Sequence, residues 1–197
     1  MVKGWEWGIA ERPTRGETES GDRHLIRAFP EGLLVAVIDG LGHGHEAAMA
    51  SDRAIAHLKT TSHLDVSLLL RGCHQVLRET RGAVMTLATI TRDSLTWLGV
   101  GNVEGILIRP GSRIYVTQRG GIVGHELPFL SPSTVPLTVG DTLLFATDGL
   151  ANDLSSAFPH LEEESPQPAA DYLLSHFGKD SDDALVLVGR YQEESAS

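Results

Sequence analysis

The order of hydrophobic patterns along the chain predicts an α+β fold, in which antiparallel sheets are covered by helices. Three observations carry this. Strand-like stretches open the chain, and two helical stretches follow one another directly. A long run of strand-like segments then ends in one further helix and one further strand. A parallel sheet needs strands and helices to alternate, and these do not.

Each element has its own local reason. Trp5, Trp7 and Ile9 alternate with Glu6 and Gly8, the period of a half-buried strand. Residues 23–29 and 33–38 are expected to pair across Pro30-Glu31-Gly32. The second of these runs is apolar throughout, as suits a strand covered on both faces. Between residues 46 and 58 the spacing of Ala47, Ala50, Ala54, Ile55 and Leu58 is helical. A second helix is expected to start at Asp65 as N-cap, with Val66, Leu69, Leu70, Cys73, Val76 and Leu77 inward. Strands are predicted at 84–91, 95–100, 105–109, 114–118 and 142–147. Pro168 in a first turn, an apolar face through Tyr172, Leu173, Leu174 and Phe177, and a stop at Gly178 describe a third helix. Residues 184–188 make a last strand. The stretch 162–168 reads as the most linker-like, with Glu162-Glu163-Glu164 as a solvated loop.

The chain has 197 residues, 41% of them apolar. One domain over residues 1–197 is expected, with a frayed tail after about residue 191. A domain of this length buries roughly 70% of its unfolded surface and needs no disulfide. Cys73 is the single cysteine and reads as a small core residue. Sixteen basic against 26 acidic residues give a net charge of −10. With no basic cluster, nucleic acid and anionic membrane surfaces are excluded as partners. No signal-like or membrane-spanning run is present, so a cytoplasmic location is expected.

Two segments share a design. The run 33–38 ends in Asp39-Gly40-Leu41-Gly42-His43-Gly44, and the run 143–147 ends in Asp148-Gly149-Leu150. Each places a carboxylate at the end of a buried strand, followed by a glycine that permits close backbone approach. Asp22 after Gly21, and Asp182-Asp183 before the last strand, are two more acidic strand borders. A lone Asp-Gly is a common turn dipeptide. Four acidic borders suggest convergence instead. Carboxylates ~4 Å apart at an effective dielectric of about 20 repel by about 4 kcal/mol per pair. No lysine or arginine accompanies either Asp-Gly, so the counter-charge expected is a hard divalent cation, Mg²⁺ or Mn²⁺. Other motifs fail. Gly40-Leu41-Gly42-His43-Gly44-His45 lacks the third glycine of a dinucleotide site, and His45-Glu46 lacks the second histidine of a zinc-protease helix. No Gly-x-Ser-x-Gly elbow or phosphate-cradling Gly-Lys-Ser/Thr occurs. His43 is a candidate phosphate contact, with a plain loop-surface histidine as the alternative.

Taken in order, Gly21-Asp22, Asp39-Gly40-Leu41-Gly42-His43-Gly44 ahead of a helix pair, Gly101-Asn102, Thr147-Asp148-Gly149-Leu150 and Asp182-Asp183 resemble the metal-dependent serine/threonine phosphatases of the PPM type, and within them the SpoIIE-like branch. The resemblance runs from about residue 22 to residue 188. It implies a sandwich of two antiparallel sheets flanked by helices, in α/β/β/α layers, with two Mn²⁺ or Mg²⁺ ions at one end. It further implies that Asp39 bridges both metals and the Gly40 carbonyl ligates one. Asp148 and Asp182 complete the other shell, and Asp22 acts directly or through water. Asp39 and Asp148 thereby serve catalysis through a metal-activated water, with no covalent enzyme intermediate. A short stand-alone member of this branch implies phosphorylated STAS-domain stressosome proteins as substrates and a role in resetting a stress response. The closing motif departs from the family's Asp-Asp-hydrophobic-Thr, reading Asp182-Asp183-Ala184-Leu185, which leaves Asp182 and Asp183 both open as the ligand. The phosphate-binding arginine of the eukaryotic relatives has no match. The rival readings are a partner-binding module of the same fold with weak or no catalysis, and a metal-dependent phosphodiesterase or nucleotidase.

Overall fold

The structure is a computed structural model that describes residues 4–150 and 153–192; the expected frayed tail lies outside the described residues from 193 onward. The elements in chain order are β1 (Trp5–Arg12), β2 (Asp22–Phe29), β3 (Gly32–Gly40), α1 (His45–Thr60), α2 (Val66–Val76), β4 (Ala83–Ile90), β5 (Ser94–Val100), β6 (Glu104–Arg109), β7 (Ser112–Tyr115), β8 (Gln118–Arg119), β9 (Ser133–Pro136), β10 (Thr142–Ala146), α3 (Phe158–Glu163), α4 (Pro166–Phe177) and β11 (Ala184–Tyr191). One sheet has the order β1-β11-β10-β6-β7. The other has the order β2-β3-β4-β5-β8, with β9 on β5. Pairing is antiparallel except for the two-residue contact of β5 with β8. The predicted α+β class and α/β/β/α layering are what the chain adopts.

Three apolar layers hold it together, and strand periodicity explains them. In β3, Leu33, Val35 and Val37 join Trp97, Phe145, Leu185 and Leu187 in the core between the sheets. The intervening Leu34, Ala36 and Ile38 pack under α1 and α2 with Leu58, Leu69, Leu70 and Cys73. That is why the whole run is apolar: both faces of the strand are covered. On the far side, Leu144, Ala146, Val186 and Val188 meet Ala169, Ala170 and Leu173 of α4. Asp65 caps α2 as expected, accepting from the amides of Ser67 and Leu68 at 2.9 and 3.0 Å.

The structure differs from the sequence expectations at four places. Val76, expected inward, is 37% exposed, because α2 ends there and Leu77 after it turns into the core instead. The strand expected at 114–118 is broken, because the chain changes sheets there: β7 pairs with β6 in one sheet and β8 with β5 in the other. The edge strand β9 was not anticipated, since Ser133–Pro136 is polar and ends in proline. The linker-like stretch is helical except at Glu164 and Ser165, which join two helices. Glu162 belongs to α3 and pairs with Arg113 at 2.5 Å, so it is not part of a solvated loop, and α4 begins at Pro166.

Candidate functional site

The two-residue period that fills the inter-sheet core also delivers the acidic residues. Leu33, Val35 and Val37 face the other sheet, and the next residue of that set is Asp39, at the strand end. Asp22 is its directly opposite partner in the β2–β3 register and so shares its face. From the opposing sheet, Leu143 and Phe145 lead to Thr147, while Leu187 and Leu185 lead back to Asp183. Asp22, Asp39, Thr147 and Asp183 therefore close one end of the slot between the sheets. Asp148 and Asp182 stand one residue further out, Asp148 exposed and Asp182 half-buried.

Glycines let the backbone close around this end. A Cβ on Gly149 would lie 1.8 Å from the Asp183 carbonyl oxygen, and one on Gly40 2.1 Å from the Ala47 carbonyl oxygen in α1. The close approach anticipated from the two Asp-Gly pairs is thus an approach of the chain to itself. It draws the Asp148 turn against the start of β11, and the end of β3 against the first turns of α1.

Each carboxylate is held differently. Asp22, 2% exposed, accepts from the Thr147 hydroxyl at 2.7 Å, and that hydroxyl accepts from the Leu185 amide at 2.9 Å. Asp148 accepts from the Asn102 side-chain amide at 2.6 Å. Asp183 is saturated: one oxygen accepts from the Thr14 amide (2.6 Å) and hydroxyl (3.0 Å), the other from the Gly21 amide (2.6 Å). It anchors the 13–21 loop beneath the site. Asp182 uses one oxygen to accept from the Asp183 amide at 2.9 Å.

Electrostatics couple the set. Burial pushes the Asp39 carboxyl up to about 8, reinforced by the charges of Asp22, Asp148, Asp182 and Asp183, with no donor or cation acting against it. Burial likewise pushes Asp22 up to about 7, against the Thr147 hydroxyl and with the help of Asp183, Asp148 and Asp182. Asp182 is raised by burial and then by Asp148. Carboxylates from four separate segments thus feel one another in one place. Among the described residues no three acidic or histidine side chains close into a ready-made cage. The chemistry of the set nevertheless fits a hard cation: several oxygen donors, two of them buried, destabilise one another's charge.

His43 is exposed, and its Nδ1 is 3.0 Å from Glu17 Oε1, on the loop that Asp183 anchors. The sequence reading named no site role for Asn102, Thr147, Asp183 as an anchor, or Lys179, whose Nζ donates to the Asp148 backbone oxygen at 2.7 Å. Thr147 and Asn102 were visible inside the motifs, yet their roles depend on partners far along the chain. Beside the carboxylates opens a cleft of about 510 Å³ lined by Asn102, Glu104, Gln118, Thr147, Asp148 and Lys179. Burial raises the Glu104 carboxyl above its usual range.

A family model, Stage II sporulation protein E (SpoIIE), matches residues 30–192. The chain belongs to the SpoIIE family. It has the PPM phosphatase fold, and the family and enzyme class expected from the ordered motifs hold. The family match takes in Asp39, Asp148 and Asp182, while Asp22 precedes it. Among relatives, the chain is similar to the phosphoserine phosphatase RsbX of Bacillus subtilis (strain 168), with 27% identity over 180 residues, 89% of each protein. Among solved structures, it is similar to a chain from work on the bacterial stressosome as a modular system adapted to control secondary messenger signalling. That match has a TM-score of 0.89 and 29% identity, and covers 94% of this chain and 99% of the other. RsbX in complex with magnesium shares the fold at a TM-score of 0.86 and 23% identity, covering 98% of each chain. No helix among the described residues is long and apolar enough to cross a membrane.

Proposed function

We propose that this chain is a cytoplasmic, metal-dependent phosphoprotein phosphatase that hydrolyses phosphoserine or phosphothreonine on a bacterial signalling partner, with phosphorylated STAS-domain stressosome proteins as the substrates. The observation that carries this is the gathering of Asp22, Asp39, Asp148 and Asp182 at one end of the sandwich, where burial raises Asp39, neighbouring like charges add to it and none relieves it. The likeness to RsbX, a phosphoserine phosphatase, and to a stressosome chain supports the choice of substrate.

Two Mn²⁺ or Mg²⁺ ions suit the donor set: Asp39, the Gly40 carbonyl, Asp148 and Asp182 would hold them, with Asp22 acting directly or through water. When bound, such ions supply Lewis-acid stabilisation of phosphoryl oxygens and a water activated near neutral pH. The rest is work of the chain. Asn102 orients Asp148, and Thr147 fixes Asp22. Asp182 is the better ligand than Asp183, because both oxygens of Asp183 are already engaged by three donors. The single cysteine does not compete as nucleophile. Cys73 is buried and its thiol is pushed up to about 12 by burial, so water attacks phosphorus directly. Ala184 and Leu185, where the family motif departs, lie in the two apolar layers flanking β11 and leave the carboxylates ahead of them untouched.

The test is phosphate release from purified phosphorylated STAS-domain proteins with Mn²⁺. Release is expected with the wild type and is lost with chelator and in Asp39→Asn or Asp148→Asn. Full activity in both variants, or indifference to chelator, would remove the mechanism. A catalytically weak binding module is the alternative, and it would show partner binding without a tight divalent site in calorimetry.

A further inference from the structure

Lys179 occupies an unusual position. Its backbone is pinned on both sides: its amide donates to the Gly149 oxygen at 2.7 Å, and its carbonyl accepts from Arg12 at 3.0 Å. Gly178 before it caps α4 through the Leu174 carbonyl and bridges to Leu150. The side chain is half-buried and reaches back over the Asp148 turn, where Nζ donates to a backbone carbonyl and not to a carboxylate. Among the described residues that line the 510 Å³ cleft it is the only cation, facing a wall that includes Glu104 and Asp148. None of the salt bridges among the described residues involves it, and the Asp148 carboxylate is turned to Asn102 instead. An ammonium carries three donors, so two are left for something that enters the cleft.

We propose that Lys179 is the phosphate-binding residue of this enzyme, contacting the phosphoryl oxygens of the phosphoserine or phosphothreonine in the cleft. The proposal rests on the phosphatase function above and adds a substrate contact to it. A phosphoryl group carries a charge of about −1.5 to −2 near neutral pH and three strong acceptors. Carboxylates dominate this end of the fold, and a positive side chain held at the cleft rim by a pinned backbone gives that group a fixed partner. Lysine acts there as a point charge, in the manner of other phosphate-binding lysines. The contact to the Asp148 carbonyl holds the ammonium in place until phosphate arrives.

The experiment compares wild type with Lys179→Ala, Lys179→Arg and Lys179→Gln. Calorimetry measures binding of inorganic phosphate to the Mg²⁺-loaded protein, and Mn²⁺ affinity, melting temperature and steady-state kinetics on a phosphoprotein are measured alongside. Lys179→Ala and Lys179→Gln are expected to weaken phosphate binding and raise KM about tenfold or more, the size of one charge-assisted hydrogen bond. Mn²⁺ affinity and melting temperature stay near wild type, and Lys179→Arg restores most of the loss. Unchanged phosphate affinity and KM in Lys179→Ala would overturn the proposal. So would a fall in kcat and Mn²⁺ affinity that arginine does not rescue, since that marks a strut for the Asp148 turn. A wild type that binds phosphate through Lys179 but hydrolyses no phosphoprotein would count against the phosphatase function and leave the binding assignment standing.

Discussion

The Thr147 hydroxyl joins the two sheets at the acidic end: it donates to Asp22 Oδ2 at 2.7 Å while accepting from the Leu185 amide at 2.9 Å. Asp22 belongs to one sheet and Leu185 to the other, so a single oxygen sets the distance between the carboxylate and its opposing strand.

Thr147→Val keeps the shape and deletes that oxygen. It leaves a buried carboxylate and a buried amide without their partner, each such loss costing about 1–3 kcal/mol. Denaturant unfolding is expected to show a loss of about 2–6 kcal/mol for the two together, and Thr147→Ser a smaller one. Because the hydroxyl lowers the Asp22 carboxyl, its removal also weakens Mn²⁺ binding near pH 7. Equal stability of the valine and serine variants would refute the bridge.

Protons and metal compete for Asp22 and Asp39. Their folded values, about 7 and about 8, lie above the ordinary 3.8. A raised folded value means the protonated form favours folding. The contribution is fully present below pH 3.8 and is lost as pH rises through 7 to 8. Metal-free wild type is therefore expected to lose melting temperature between pH 5 and 8.5 relative to Asp39→Asn, which does not titrate at that position. Mn²⁺ should offset the loss, with an affinity that climbs over the same range. Parallel melting curves for the two proteins in chelator would mean that the carboxylates do not share a buried pocket.

Asp182 and Asp183 are neighbours with opposite duties. Asp183→Asn turns an amide N–H₂ toward donors that need an acceptor, Thr14 or Gly21. It is expected to cost about 1–3 kcal/mol of stability and to loosen the 13–21 loop. Asp182→Asn should leave stability near wild type and weaken Mn²⁺ binding. Denaturation and metal titration of the two variants read the contrast directly, and the reverse pattern would reassign the ligand.

Most of the fold was legible because burial writes itself into period. The run 33–38 is apolar at every position since one set of side chains faces the other sheet and the alternate set faces helices. The Asp65 cap and the Gly178 stop are local devices, readable within a few residues. The split of 114–118 was not legible. A strand that changes sheets satisfies the same local preferences as one that continues, and only its partners differ.

By itself the amino-acid order determined which strands are covered on both faces and which acidic residues stand at their ends, because side-chain direction alternates residue by residue. Tertiary structure decided what each carboxylate meets. Thr147 reaches Asp22 across 125 positions and Asp183 reaches Gly21 across 162. Those meetings leave Asp183 an anchor, raise Asp22 and Asp39, and set Lys179 over the Asp148 turn. Hydrogen-bond partners and mutual charge depend on distance in space, and no local pattern encodes a distance between segments that far apart.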